Sequence, residues 1–213
     1  MQTESMIEKE LKYQLTNQNY MKLKEYLKSK VSTHQVTNHR NYYLETERFE
    51  LRKNGVSLRF RVKADNSVYI TLKRRKNALG NNVHIKDEHT MRLMSLSSQD
   101  QGAHASWLQN KEVRAFLESQ ISDSDILKKI RLIGCLETER LHFELFSDIE
   151  PLLLDRSNYL DKEDYEIEWE TEFIERASSY LEDIFNVLDI EAIENTDAKS
   201  RRFFREYVSK RDK

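Results

Sequence analysis

The stretch "IEKELKYQLT", residues 7–16, holds the first group of residues able to do chemistry. With the two-residue period of a strand, Glu8, Glu10 and Lys12 fall on one side, and Ile7, Leu11, Tyr13 and Leu15 on the other. The same division into an apolar back and an ionic front recurs along the chain. Arg59, Arg61 and Lys63 oppose Leu58, Phe60 and Val62; Thr71, Lys73 and Arg75 share a face; Glu166, Glu168, Glu170 and Glu172 oppose Tyr165, Ile167 and Trp169. Like charges side by side on one face are destabilising, and a merely solvated face mixes signs to avoid this. Here acids crowd the first and last strands and bases the middle ones. That sorting fits a guest that supplies the missing counter-charge: a polyanion for the bases and a divalent cation for the acids. Two unit charges ~4 Å apart interact by ~1 kcal/mol in water and ~4 kcal/mol near a protein surface, so carboxylates and a triphosphate need metal ions between them. Mg²⁺ or Mn²⁺, hard cations that take oxygen ligands and bridge phosphates, are the cofactors this implies.

The elements that must position these faces are legible from periodicity. Asn17 can cap a helix running to about Val31, with Tyr20, Leu23, Leu27 and Val31 on one stripe. The segments "NYYLETERFELR", "VSLRFRVKA" and "SVYITLKRRK", joined by "KNG" and "ADNS", predict a meander of antiparallel strands. A turn is expected at "LGNN" (79–82) and a strand near His84 to Leu93. "SWLQNKEVRAFLES" and "DSDILKKIRL" predict helices, the second capped by Ser122 or Asp123. Strands resume in "GCLETERLHFEL", "PLLLDRS" and "DYEIEWETE", and amphipathic helices follow at about 172–188 and 197–209. The fold class is α+β.

With no internal repeat and no Ser/Pro/Gly linker, a single domain is expected over residues 1–213, with a helical insertion at about 103–131 and C-terminal helices at about 172–209. The apolar helix stripes need a partner. Packing them outside the strands turns the ionic faces inward, which predicts a closed antiparallel barrel with a charged lumen. The opposite orientation, a carrier of apolar ligands, would leave the helices without a surface to cover.

Composition narrows the function classes. Lys and Arg number 35 against 37 Asp and Glu, so no whole-protein field attracts nucleic acid or an anionic membrane. The single cysteine, Cys135, cannot form an intramolecular disulfide, and the six histidines (34, 39, 84, 89, 104 and 142) show no metal-site spacing. The N-terminus lacks an apolar signal region and there is no uninterrupted membrane-spanning run, so a cytoplasmic protein is expected. With four Gly and neither G-x-x-x-x-G-K nor G-x-G-x-x-G, phosphate binding falls to side chains.

Glu8-x-Glu10-x-Lys12 resembles the ExExK signature of the CYTH superfamily, the triphosphate tunnel metalloenzymes. The likeness continues in order through "NYYLET" (41–46), "SLRFR" (57–61), "TLKRR" (71–75), "ETER" ending at Arg140, "LLLDRSNYLDKEDYEIEWE" (152–170) and "AKSRRFF" (198–204). It is strongest toward bacterial CYTH proteins described as adenylate cyclase candidates. The resemblance implies a closed eight-stranded antiparallel barrel flanked by helices. It also implies that Glu8, Glu10, Glu168 and Glu170 hold metal, with Asp155 and Glu88 as additional acids. Lys12, Arg59, Arg61, Lys73 and Arg140 would grip the phosphates and serve catalysis. Arg75 would extend the basic face, and Lys199 matches the lysine on the family's C-terminal helix. Two positions depart from the pattern: Glu45 stands where the family has Asp in its Tyr-aromatic-Asp-Thr motif, and Asp161 where relatives often have Gly.

The implied activity is a metal-dependent triphosphatase acting on inorganic triphosphate or a related small triphosphate, as a monomer or homodimer, without nucleic-acid or membrane partners. Two alternatives share the charged surface: a class IV-type adenylate cyclase, and a non-catalytic polyphosphate or nucleotide sensor.

Overall fold

Alternation of apolar and polar residues folds most of the chain into antiparallel ladders. The computed structural model describes residues 9–31, 34–75, 86–96, 106–191, 193–194 and 197–211. Its strands are β1 (Glu10–Leu15), β2 (Gln35–Glu45), β3 (Val56–Val62), β4 (Val68–Arg75), β5 (Lys86–Leu93), β6 (Arg131–Phe143), β7 (Leu152–Tyr159), β8 (Lys162–Glu170) and β9 (Ile193–Glu194). The helices are α1 (Asn17–Lys30), α2 (Glu50–Lys53), α3 (Lys111–Gln120), α4 (Ser124–Lys129), α5 (Ile174–Leu188) and α6 (Lys199–Arg211), with a 3-10 turn at Ser106–Gln109. The turn expected at 79–82 lies outside the described residues.

The expected closed eight-stranded barrel is not what forms. The strands make one nine-stranded sheet in the order β5-β4-β3-β2-β6-β7-β8-β1-β9, open between its terminal strands. Closure would have to bring β5 to the outer edge of β1. That edge is taken instead by the short β9, which pairs Tyr13 with Glu194 and Gln14 with Ile193. The sequence argument concerned which face the helices cover, and an open two-faced sheet satisfies it as well as a tube does.

The chain divides into two compact units, one containing His39–Leu136 and the other Glu8–Asn38 with Glu137–Lys213. In the first, the apolar faces of β2 to β4 supply Tyr42, Leu44, Leu58, Phe60, Val62, Val68, Ile70 and Leu72. These pack with Trp107 and with Val113, Phe116 and Leu117 of α3. Asn110 caps α3 through its side chain, and Asp123, one of the two expected residues, caps α4.

In the second unit, Leu15, Leu141, Leu152, Leu154, Tyr165, Ile167 and Trp169 form the apolar strand face. Tyr20, Leu23 and Leu27 of α1 and Ala177, Leu181 and Ile184 of α5 cover it. Thr16, rather than Asn17, caps α1. No helix among the described residues is long and apolar enough to cross a membrane.

The segment read as one long strand, residues 41–52, breaks after Glu45. The Glu45 side chain is 1% exposed and turns back on the chain: Oε1 accepts from the Thr46 N–H at 2.8 Å and the Leu51 N–H at 3.0 Å, and Oε2 from the Arg52 N–H at 2.9 Å. Thr46 Oγ1 takes the Glu50 N–H at 2.9 Å, and Phe49 O takes the Lys53 N–H at 3.0 Å. Every N–H of α2 thus has an acceptor, which a helix this short cannot provide from within. Local hydrogen bonding wins over alternation here.

Candidate metal and phosphate site

Four strands and one helix of the second unit converge on an ionic cluster. β1, β6, β7 and β8 turn their apolar residues toward α1 and α5, which leaves Lys12, Arg140, Asp155, Glu166 and Glu168 on the opposite face. Lys199, in the first turn of α6, joins them. Asp155 and Glu166 are Cα partners across β7 and β8, and Lys12 and Glu168 across β1 and β8.

Arg140 grips Asp155 with both prongs, Nε to Oδ1 at 2.7 Å and Nη2 to Oδ2 at 2.6 Å, and its Nη2 also donates to Glu168 Oε2. Lys199 Nζ lies 2.8 Å from Asp155 Oδ2 and 2.9 Å from Glu168 Oε1, and it contacts Glu166 Oε1. Lys12 Nζ donates to Glu168 Oε1 and sits 3.9 Å from Glu166 Oε1.

The electrostatics follow from burial. Asp155 and Glu166 are 0% and 1% exposed. Burial alone would raise the Asp155 carboxyl, but Lys199 and Arg140 outweigh it and hold that carboxyl well below the usual carboxylate range. Burial pushes the Lys199 ammonium down to about 7 against the pull of Asp155, and Lys12 and Arg140 push the same way as burial. Each of Asp155, Glu166 and Glu168 thus meets at least two of Lys12, Arg140 and Lys199.

One oxygen each from Asp155, Glu166 and Glu168 lie within 4.8 Å of one another. An all-carboxylate donor set suits a hard divalent cation such as Mg²⁺ or Mn²⁺. Glu166 Oε1, buried and facing this space, receives no hydrogen bond of good geometry, only the lysine charges. The residues present therefore fit a cation.

The expected residues fall in several places. Asp155, Glu168, Lys12, Arg140 and Lys199 come together. Glu10 and Glu170 face each other at the end of the β1–β8 ladder but are exposed and outside the triad. Glu8 lies outside the described residues.

Arg59, Arg61, Lys73 and Glu88 belong to the first unit. There Lys73 pairs with Glu88, and the Arg61 Nε–H donates to Asn41 Oδ1 at 3.0 Å. Arg59 Nε is buried without a hydrogen-bond partner. Burial pushes the Glu88 carboxyl up, but Lys73 and then Arg59 bring it below its ordinary value. Arg75 ends β4 opposite Lys86 in the ladder. Glu88 is thus a partner of Lys73 on a basic face rather than a member of the carboxylate triad.

Glu166 was missing from the expected set, although its place two residues before Glu168 signals the same face. Arg202, which contacts Glu166, stands three residues after Lys199 on α6 and could have been found by the same helical spacing.

The family model for the CYTH domain matches residues 6–204. The chain belongs to the CYTH family. Among solved structures, this CYTH protein is similar to an adenylyl cyclase candidate from Hippeastrum, described as having a dominant triphosphatase activity, with 22% identity, TM-score 0.71 and 96% of each chain covered. A Bacillus halodurans adenylate cyclase candidate is 29% identical, TM-score 0.64, covering 94% of this chain and 98% of that one. A Pyrococcus horikoshii protein is 18% identical with TM-score 0.55, covering 94% and 98%. No curated protein sequence matches the chain.

Proposed function

We propose that this CYTH protein is a divalent-metal-dependent phosphohydrolase that removes the terminal phosphate of inorganic triphosphate or a related small triphosphate. The observation that carries the reading is the interleaving of Asp155, Glu166 and Glu168 with Lys12 and Arg140 on one strand face and with Lys199 from α6. Asp155, Glu166 and Glu168 would hold the cation. The chemistry such a cation would supply is neutralisation of phosphate oxygens and activation of a water.

Lys12, Lys199 and Arg140 are cations now spent on the carboxylates, and a bound phosphate would accept their donors instead. Arg140 offers a planar fork and the lysines compact point charges, a combination suited to a loose transition state with charge spread over several oxygens. In the first unit, Arg59, Arg61, Lys73 and Arg75 are proposed as further phosphate contacts by the resemblance already described. No covalent nucleophile is required.

The test is phosphate release from tripolyphosphate, ATP and thiamine triphosphate with Mg²⁺, Mn²⁺ or EDTA, alongside measurement of cyclic AMP. Tripolyphosphate should be the best substrate, chelator should abolish turnover, and Glu168→Gln should lower kcat about 100-fold or more, in line with the several kcal/mol a bound cation supplies. Undiminished turnover in EDTA sinks the proposal. Cyclic AMP as the main product of ATP would replace it with the cyclase reading, which the likeness to the Bacillus halodurans protein favours.

A further inference from the structure

Behind the carboxylate triad stands a second ionic layer that the proposed chemistry does not use. Arg202 of α6 is only 7% exposed, and each of its nitrogens is committed. Nε donates to Asp164 Oδ2 at 2.8 Å, Nη1 to the Asp197 carbonyl at 2.8 Å, and Nη2 to Glu166 Oε2. Asp164 Oδ2 also accepts from the Tyr159 hydroxyl. The two oxygens of Glu166 are therefore unlike: Oε2 is taken by the guanidinium, and Oε1 faces Lys199 and Lys12.

We propose that Arg202 is a positioning residue that fixes Glu166 as a single-oxygen ligand and registers α6, with Lys199, against the carboxylate triad. This rests on the reading of Asp155, Glu166 and Glu168 as the cation's ligands.

A glutamate side chain has three rotatable bonds, and an unheld Glu166 would have to order itself on each binding event. The guanidinium removes that freedom because its planar fork meets three acceptors in fixed directions. Lysine at this position would keep the charge and lose the directions. Arg202 also follows Lys199 by three residues on one helix, so both lie on the same side of α6 and the grip on Asp164 and Glu166 sets where the Lys199 ammonium stands. A residue serving only to stabilise the fold would shift unfolding and leave cation affinity unaltered.

Mn²⁺ binding to the full chain, followed by the loss of the free-ion electron paramagnetic resonance signal, distinguishes the two roles. The set is wild type, Arg202→Lys, Arg202→Met, Asp164→Asn and, as a control, Arg201→Met. Arg201 is exposed and pairs with Asp197.

Loss of an outer contact to a metal ligand lowers metal affinity about 10–100-fold, and that rise in Kd is expected for both Arg202 variants, with a smaller rise in the same direction for Asp164→Asn and none for Arg201→Met. Turnover of tripolyphosphate by Arg202→Lys should recover as Mn²⁺ is raised, because the ligands themselves remain. Circular dichroism reports folding, and if Arg202→Met does not fold, Arg202→Lys and Asp164→Asn decide.

A wild-type Kd retained by Arg202→Lys overturns the inference while leaving the triad's role intact. A wild-type protein that binds no Mn²⁺ overturns both.

Discussion

Glu45→Ala should destabilise the protein far more than removal of one carboxyl from a strand end suggests. Its carboxyl accepts three backbone N–H groups, those of Thr46, Leu51 and Arg52, at 2.8, 3.0 and 2.9 Å. Hydrogen bonds to charged groups contribute ~1.5–3 kcal/mol each, and a buried donor left without an acceptor forfeits a similar amount. Water can replace the acceptor at the partly buried Arg52 N–H, so the net loss is about 3–5 kcal/mol rather than the full sum. At roughly 2–4 °C per kcal/mol for a chain of this size, Tm should fall by about 6–20 °C. Glu45→Gln should fall between wild type and alanine, because its amide nitrogen cannot accept from the N–H groups it would face.

Urea unfolding followed by far-ultraviolet circular dichroism measures the loss, and phosphate release well below Tm measures chemistry in the same samples. A loss below about 1 kcal/mol for Glu45→Ala would refute the hydrogen-bond accounting. So would a Glu45→Gln protein of normal stability whose turnover has collapsed, since that would put the carboxyl in the reaction.

Lys199→Met removes an ammonium that contacts all three carboxylates, so it should lower the metal-free Tm, and added Mn²⁺ should raise the variant's Tm more than the wild type's; equal shifts would deny Lys199 a part in offsetting their charge. Burial pushes Glu88 up but Lys73 and Arg59 hold it below its ordinary 4.5, so its stabilising contribution is present above that value and lost as pH falls through the depressed one. Glu88→Gln should therefore unfold earlier than wild type at pH 7 and approach it as pH falls below the ordinary glutamate value, with a pH-independent gap as the contrary result. Leu23, fully buried between α1 and its strand face, should lose about 2–5 kcal/mol on truncation to alanine, measured by urea unfolding, and a loss under 1 kcal/mol would deny it a place in the core.

The main strands and helices were legible because one side of each is apolar. Leu11, Tyr13 and Leu15 against Lys12, or Tyr165, Ile167 and Trp169 against Glu166 and Glu168, settle both the period and the face. The family pattern identified Lys12, Arg140, Asp155, Glu168 and Lys199, which do meet.

Alternation says nothing about closure, since a strand reads the same in a tube and in an open sheet. β9 escaped notice because two residues carry no period. The structural part of Glu45 was not legible because its partners are backbone N–H groups, which leave no mark in side-chain patterning. Glu166 was visible as a member of the acid face, but its special place depends on Arg202 arriving from α6, a contact between residues 36 apart in sequence.

An open sheet has two rims, and a rim can recruit foreign chains. Among the described ladders β5 pairs with β4 alone, and its residues Asp87, Glu88, His89 and Arg92 present charges of both signs along a terminal strand. Such a rim resists docking by a second flat strand, because an incoming chain would have to match or bury those groups. At the far rim, β9 is only two residues long and offers too few free amides to template anything. The openness that separates this sheet from a tube is thus compatible with resistance to amyloid-like growth, guarded by charge on one side and by brevity on the other.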